Sequence, residues 1–346
     1  MKKTHRIKKK KGKTIALLYH YVPKENSQNY YSQAYALVDN QTEEIVIFFK
    51  KFLRRRGYRV QIVKVEPDDL SSLKQIKADY VFNLVDSKKM ELRIAKILDR
   101  LRIPHSGSSF KAIQTGNNKV KTKHIFRKFH IPTPVFQAVH PSRRLSKKLL
   151  PDKFPLIVKP AFEHCSIGIT NRSIAFNYRQ FKNIVREMRR KYQQTLLVEK
   201  FIPGQEFQVT ILETKGQTVA LPIAEIAFKK NMPYNKWNIY GFDEKWSKNL
   251  PIYKSCYFVA PPPKLKESIS EQIKRDAIKA FYALEFRDYG RFDLRYNPEI
   301  QQWYFLEGNA NAGFDPDPRD AMTTSILANR MSLEDFVLQI IKNSLK

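Results

Sequence analysis

Cysteine is nearly absent. Two residues in 346, Cys165 and Cys256, are too few and too far apart for a disulfide framework or a cysteine zinc site, and they fit a reducing compartment. No apolar run approaches the roughly 18 residues a membrane span needs. The N-terminus, MKKTHRIKKKKGKTIALLYHYV, has a short apolar part that holds His20 and is followed by no small-residue cleavage site. It reads as a basic tail (residues 1–13) before a first strand and not as a secretory signal. These absences lead us to expect a cytoplasmic protein with no membrane partner. Acidic residues are also in deficit, 33 against 63 basic ones, for a net charge of +30. Such a field attracts nucleotides, acidic peptides, nucleic acid and anionic lipid. The excess is scattered and accompanies no known nucleic-acid motif, so a nucleic-acid partner is not expected. A lysine-rich composition with a solvated tail is the plainer account.

What is present is a globular composition, long enough for two or three domains. Residues 14–20 (TIALLYH), 58–65 and 80–84 read as strands. Helices are expected over 41–56, where Ile45, Phe48, Phe49, Phe52 and Leu53 share a stripe ended by Gly57, and over 90–101. Strands alternating with helices indicate a parallel sheet, whose ligands sit beyond the carboxyl ends of its strands. Those ends carry His20-Tyr21 and Asn83-Leu84-Val85-Asp86, and Asn83 is either a ligand contact or a turn former. After Ile103–Ser109, the stretch NNKVKTKHIFRKFHIPTP (117–134) reads as a short basic helix carrying Lys119, Lys121 and Lys123. Residues 141–153 read as a surface connection.

In PLIVKPAFEHCSIGIT (155–170), Lys159 closes an apolar run, where an unpaired ammonium is costly and needs an anion. The loop that follows can lay backbone N–H groups and the Ser166 hydroxyl over phosphates, as short nests do. His164 and Cys165 are adjacent on that loop and need not face each other, so a catalytic thiol is not expected. Residues 178–192 form a basic amphipathic helix. In the strand TLLVEKFI (195–202), Glu199 and Lys200 precede a Pro203-Gly204 turn. Glu199, the Lys200 backbone and Glu206 are placed to serve a base and a ribose; a salt-bridged edge strand is the alternative. LPIAEIAF (221–228) is followed by an irregular, aromatic-rich stretch, 229–263, which reads as a cover over a site. Its Lys245 is the residue to place over phosphates. Helices are expected over 265–284 and 332–344.

The most informative stretch is 289–313, YGRFDLRYNPEIQQWYFLEGNANAG, two strands joined at Asn297-Pro298-Glu299. Period-two alternation puts Arg291 and Asp293 on one face and Phe292, Leu294 and Tyr296 on the other. In the second strand Glu307 and Asn309 fall together, with Tyr304 and Leu306 opposite. Two carboxylates and an amide on one side of a hairpin suit a hard cation completed by substrate phosphates; a solvated face is the alternative.

LIVKPAFEHCSIGI, LLVEKFIPGQEF, LPIAEI, GFDEKW, DYGRFDLR and FLEGN occur in an order that resembles the ATP-grasp enzymes, specifically D-alanine–D-alanine ligases and their close relatives, over roughly residues 80–346. The resemblance implies an α/β fold with α+β lobes: a pre-ATP-grasp parallel-sheet domain (14–116), then a two-lobed ATP-grasp module (117–201 and 202–346, the second with the metal site). It implies that Lys119 and Lys159 hold ATP phosphates under a loop containing Ser166 and Gly168. Glu199, Lys200, Ile202 and Glu206 would line the adenine and ribose site. Lys245 would reach the phosphates from the other lobe, and Arg291 would face the transferred phosphoryl or the acyl intermediate. Asp293, Glu307 and Asn309 would hold magnesium, with manganese able to replace it. The implied chemistry is attack of a carboxylate on the γ-phosphate of ATP and capture of the acyl phosphate by an amine.

The expectation is therefore an ATP-dependent carboxylate–amine ligase whose substrate is an amino acid or a peptide, with a homodimer as the implied oligomer. Two other readings stay open: a nucleotide-binding, catalytically altered protein acting as a binding or regulatory module, and a ligase acting on an acidic peptide or protein terminus. The sequence departs from the family where the amino-acid pocket is built. Asn83–Ser87 replaces a His-Gly and Gly-Glu-Asp-Gly loop, leaving Glu91 as its remnant. The first strand ends His20-Tyr21-Val22-Pro23 instead of a glycine turn with a substrate-facing Glu, and Ala310–Pro316 replaces a Pro-Gly-Met turn with its serine.

Overall fold

The computed structural model describes residues 12–20, 42–66, 69–87, 90–229, 237–247 and 249–345. The basic tail expected at 1–13 lies almost wholly outside the described residues, as does Tyr21-Val22-Pro23.

Strand β1 (Thr14–His20), helix α1 (Thr42–Arg55), β2 (Arg59–Val65), β3 (Tyr80–Asn83) and α2 (Glu91–Leu101) form the first unit. Its sheet has the order β2-β1-β3 and is parallel throughout. The alternation of β1 explains why both faces are covered. Ile15 and Leu17 pack with Phe49, Phe52 and Leu53 of α1, while Ala16 and Leu18 pack with Ile94 and Leu98 of α2. Asn83 takes the turn role: its Oδ1 accepts from Val85 N at 3.1 Å.

Two short helices follow, α3 (Phe110–Gly116) and α4 (Lys119–Lys128), each N-capped by a side chain, Ser109 for α3 and Asn118 for α4. Strands β4 (Phe136–Val139), β5 (Leu156–Pro160), β6 (Ile174–Ala175) and β7 (Leu196–Lys200) make an antiparallel sheet of order β4-β7-β5-β6. Helix α5 (Tyr178–Tyr192) covers one face through Phe181, Val185 and Met188, packed with Val158 and Val198.

The last sheet is antiparallel, in the order β11-β10-β8-β12-β13 with β9 on β8. It comprises β8 (Gln205–Thr214), β9 (Gln217–Ala220), β10 (Ala224–Phe228), β11 (Cys256–Val259), β12 (Tyr289–Asn297) and β13 (Gln302–Asn309). Helices α6 (Phe242–Trp246), α7 (Glu267–Ala283), α8 (Ala321–Ala328) and α9 (Leu333–Ser344) complete the chain. A parallel-sheet unit followed by two antiparallel α+β lobes is the α/β architecture expected. No helix among the described residues is long and apolar enough to cross a membrane.

Three expectations need correction. Residues 229–263 are not irregular throughout: α6 lies within them, and β11 pairs with β10 as the edge of the last sheet. Helix α8 was not expected at all. It buries Ala321, Met322, Thr323, Ser325 and Ile326, so it shows almost no amphipathic period, and its start is fixed by Asp320, which accepts from Met322 N and Thr323 N. Finally, Leu306 does not lie opposite Glu307. The β12–β13 register runs Asp293↔Glu307, then Leu294↔Phe305, so Leu306 is the extra residue of a β-bulge. The bulge resets the alternation and turns Leu306 into the cavity that Glu307 also lines.

Candidate active site

A cavity lies between the two antiparallel sheets and brings together most of the residues singled out from the sequence. Lys159, Glu199, Lys200 and Ile202 line it from β5, β7 and the turn after β7, and Ser166 lines it from the loop after β5. Glu206, Arg291, Asp293, Glu307 and Asn309 face them from β8, β12 and β13, and Lys245 of α6 completes the wall. Lys119 and Gly168 are not on that wall. Lys119 stands behind it, with Nζ 2.6 Å from Glu307 Oε2 and 2.6 Å from the Glu163 carbonyl. Gly168 has φ +80°, and a Cβ there would come within 2.9 Å of Pro160 Cγ and Tyr192 Oη, so its part is to turn the loop. Lys200 sends its ammonium away from the cavity, to the Lys153 and Phe154 carbonyls, and its backbone N–H to Val135 O.

The anion that Lys159 requires is supplied by the protein. Lys159 Nζ is 2.5 Å from Glu199 Oε1, and Lys123, fully buried, is 2.8 Å from Glu199 Oε2 as an ion pair. Burial pushes the Lys123 ammonium down to about 8 against the pull of Glu199. For Glu199, burial favours the neutral acid but the two lysines prevail, and its carboxyl is held below its ordinary value. At Glu307 burial is likewise overcome, by Lys119 and Lys159, and the carboxyl falls to about 2. Arg291 Nε donates to Asp293 Oδ1 at 3.0 Å; burial opposes the charge, yet Asp293 keeps this guanidinium protonated above its usual range.

Among the described residues no group of three or more His, Cys, Asp or Glu can hold a metal. The donor set at hand is two carboxylates and the Asn309 amide, whose buried Nδ2 has no hydrogen-bond partner. That set is incomplete for a cation by itself and fits one that shares its shell with phosphate oxygens.

The loop after β5 and the segment 237–246 close on each other. Ser166 Oγ donates to the Tyr240 carbonyl at 2.8 Å, Trp246 Nε1 to the Cys165 carbonyl at 3.1 Å, and Phe242 N to the Ile169 carbonyl at 3.2 Å. Cys165 and Ser166 both have positive φ, 55° and 59°, a conformation non-glycine residues hold only when their surroundings impose it.

Beyond Arg291 and Lys245 the cavity opens into a second space of about 500 Å³, reaching Trp246, Phe314 and Asp320. Asp86 and Asn311 line both spaces; Asn311 Nδ2 donates to the Val85 carbonyl at 2.8 Å, and on the first space Asn117 Nδ2 donates to Glu91 Oε2 at 2.5 Å. Burial and the neighbouring Asp86 push the Glu91 carboxyl up to about 8, against the hydrogen bonds it accepts. The rewritten turn 310–316 docks on the first unit, with Phe314 against Phe49 and Phe82. Sequence reasoning missed Arg295, which lines the cavity and pairs with Glu206. It shares the parity of Arg291 and Asp293 on β12, and that parity was the available signal.

Residues 125–342 match the family described as "D-ala D-ala ligase C-terminus". D-alanine–D-alanine ligase of Thermotoga petrophila is 29% identical over 297 residues, covering 85% of this chain and 89% of that protein. The Hydrogenovibrio crunogenus protein of the same name is 28% identical over 252 residues, 73% of each chain. The crystal structure of D-alanine–D-alanine ligase from Bacillus anthracis complexed with ATP superposes with a TM-score of 0.71 at 19% identity, covering 96% of this chain and 98% of that one, so the fold is shared.

Proposed function

Because this chain belongs to the D-ala D-ala ligase C-terminal family, we propose that it is an ATP-dependent ligase that joins a carboxylate to an amine, with an amino acid or a short peptide as acceptor. Lys159 neutralises the ATP phosphates beneath the loop of Ser166, which Gly168 turns, and Lys119 acts from behind the wall through Glu307. Glu199, Lys200, Ile202 and Glu206 receive the base and sugar. Asp293, Glu307 and Asn309 hold magnesium, or manganese in its place, which when bound neutralises charge on the transferred phosphoryl group. Lys245 and Arg291 stand where the nucleotide end meets the acceptor end.

A substrate carboxylate oxygen attacks the γ-phosphorus, the bond to the β-phosphate oxygen breaks, and ADP departs. The amine then attacks the carbonyl carbon of the acyl phosphate, inorganic phosphate leaves, and the ammonium proton passes to solvent. Phosphoryl transfer asks mainly for positioning and for charge neutralisation. The observation that carries the reading is the convergence of Lys159, Lys245, Arg291, Asp293 and Glu307 from three chain regions onto one cavity. The second space, about 500 Å³, is of the size that takes a ligand larger than a single small amino acid. The test is ADP release over paired amino acids and dipeptides, with the product identified by mass spectrometry. ADP and a new amide rising together support the reading, and background ADP release across the whole panel sinks it.

The bare nucleotide-binding reading is not favoured, because the matching proteins are named as ligases and the charged wall is complete. Neither Cys165 nor Cys256 is in a disulfide, which suits the reducing cytoplasm. A homodimer through the first unit is checked by light scattering.

A further inference from the structure

Arg295 is a buried guanidinium for which the proposed reaction has no use. It is 4% exposed, sits opposite Glu206 in the β12–β8 register, and lines the nucleotide end of the cavity. Its Nη1 donates to Glu206 Oε2 at 3.3 Å and to the Asn238 carbonyl at 2.9 Å. Its Nη2 donates to the Gly204 carbonyl at 2.8 Å and the Trp237 carbonyl at 3.2 Å. Nε has no partner, and the guanidinium lies 5.1 Å from the centre of the Phe201 ring. One planar fork thus gathers oxygens from the turn before β8, from β8 itself and from the segment that covers the cavity. A lysine, with one ammonium, lacks that geometry.

The charge on this fork decides how Glu206 can be used. Both Arg295 and the Tyr240 N–H, at 3.4 Å, address Glu206 Oε2. Both contacts fall on the same oxygen, and Glu206 lines the cavity. A carboxylate held by one oxygen offers the other in a fixed direction, as a hydroxyl-recognising acceptor must. We infer that Arg295 is a positioning residue that sets the sugar specificity of the nucleotide site, orienting Glu206 to accept from a ribose hydroxyl and tying residues 237–240 to that acceptor. It rests on the ATP reading above and adds a choice between ribose and deoxyribose.

The experiment compares ATP with 2′-deoxyATP and 3′-deoxyATP, by calorimetric binding and by KM and kcat separately. A lost hydrogen bond to a charged group weakens binding about tenfold or more. The wild type is expected to bind at least one deoxynucleotide about tenfold more weakly than ATP. In Arg295→Met this ratio falls toward one and the ATP KM rises more than kcat falls, because the acceptor is present but no longer held. Arg295→Lys, which keeps a charge beside Glu206, restores the ratio in part. Should Arg295→Met fail to fold in a melting scan, Arg295→Lys carries the test: it must show a smaller ratio than the wild type. A wild type indifferent to the sugar, or variants that keep the full wild-type ratio, overturns the role of Arg295 while leaving the ligase reading intact. Absence of any ATP binding to the wild type overturns both.

Discussion

The two ends of the cavity are built on different principles. At the nucleotide end the carboxylates lie on strands and are spent on cations of the strands and of helix α4: Lys159 and Lys123 on Glu199, Lys119 on Glu307, Arg291 on Asp293, Arg295 on Glu206. Each pair offsets a desolvation cost that neither member would meet alone, so the set is in place before a nucleotide arrives. The acceptor end is made of turns and helix starts, with Asp86 and Glu91 before and at the start of α2 and Asn311 on the turn that follows β13. There a carboxyl is driven toward its neutral form instead of being balanced by a cation. Strand geometry fixes the first end, and loop chemistry sets the second.

That contrast can be broken. Asp293→Asn removes a carboxylate from the nucleotide end and is expected to lower the rate of ADP release about a thousandfold and, by leaving the buried Arg291 without its counter-charge, to lower the melting temperature as well. If ADP release survives, this end is not the reacting end. Lys123→Met touches no cavity wall but leaves Glu199 half balanced. A loss of about 4 kcal/mol in urea unfolding is expected, as for a broken buried pair, and a neutral result would show the pairs to be incidental.

pH separates the ends by sign. The Glu307 carboxyl, near 2 in the folded chain against an ordinary 4.5, adds stability that is present above about 4.5 and is lost as pH falls toward 2. The Glu91 carboxyl, near 8 against 4.5, behaves oppositely. Between about 4.5 and 8 the folded chain holds one proton more than the unfolded chain, so stability falls as pH rises. Glu91→Gln should flatten that limb and stabilise the chain by about 3 kcal/mol at pH 8; an unchanged alkaline limb would place the burden on another group. The smallest effect belongs to the loop that joins the ends. Gly168→Ala, at positive φ and against Pro160 and Tyr192, should cost about 1–2 kcal/mol and raise the KM for ATP.

The charged wall proposed to take the nucleotide was legible in the sequence as a cluster because strands impose a period of two and because charged residues inside apolar runs demand partners. Lys159 and Glu199 are such residues, and each turned out to be the other's partner. The same rule, carried two residues past Asp293, would have found Arg295. It failed at Leu306 because a bulge changes the phase without leaving a mark on composition. The parallel sheet was legible from alternating strands and helices, and α5 from its stripe of Phe181, Val185 and Met188. Helix α8 was not, since a helix buried on nearly all sides has no stripe to read. The acceptor end stayed obscure because Asp86, Glu91, Asn117 and Asn311 come together only through the docking of separate elements.

The bulge at Leu306 has a consequence for how this site can change. Phe305 stays in the core while Leu306 and its neighbour Glu307 both reach the cavity, so the strand works like a key with one extra tooth. Removing Leu306 would close the bulge and leave Phe305 beside Leu294 in the core and Glu307 beside Asp293 at the cavity, a regular hairpin that keeps its charges and loses one apolar side chain from the wall. The bulge thus adds a side chain to the wall without moving its charges, and a single-codon deletion there would trim the site and not invert it.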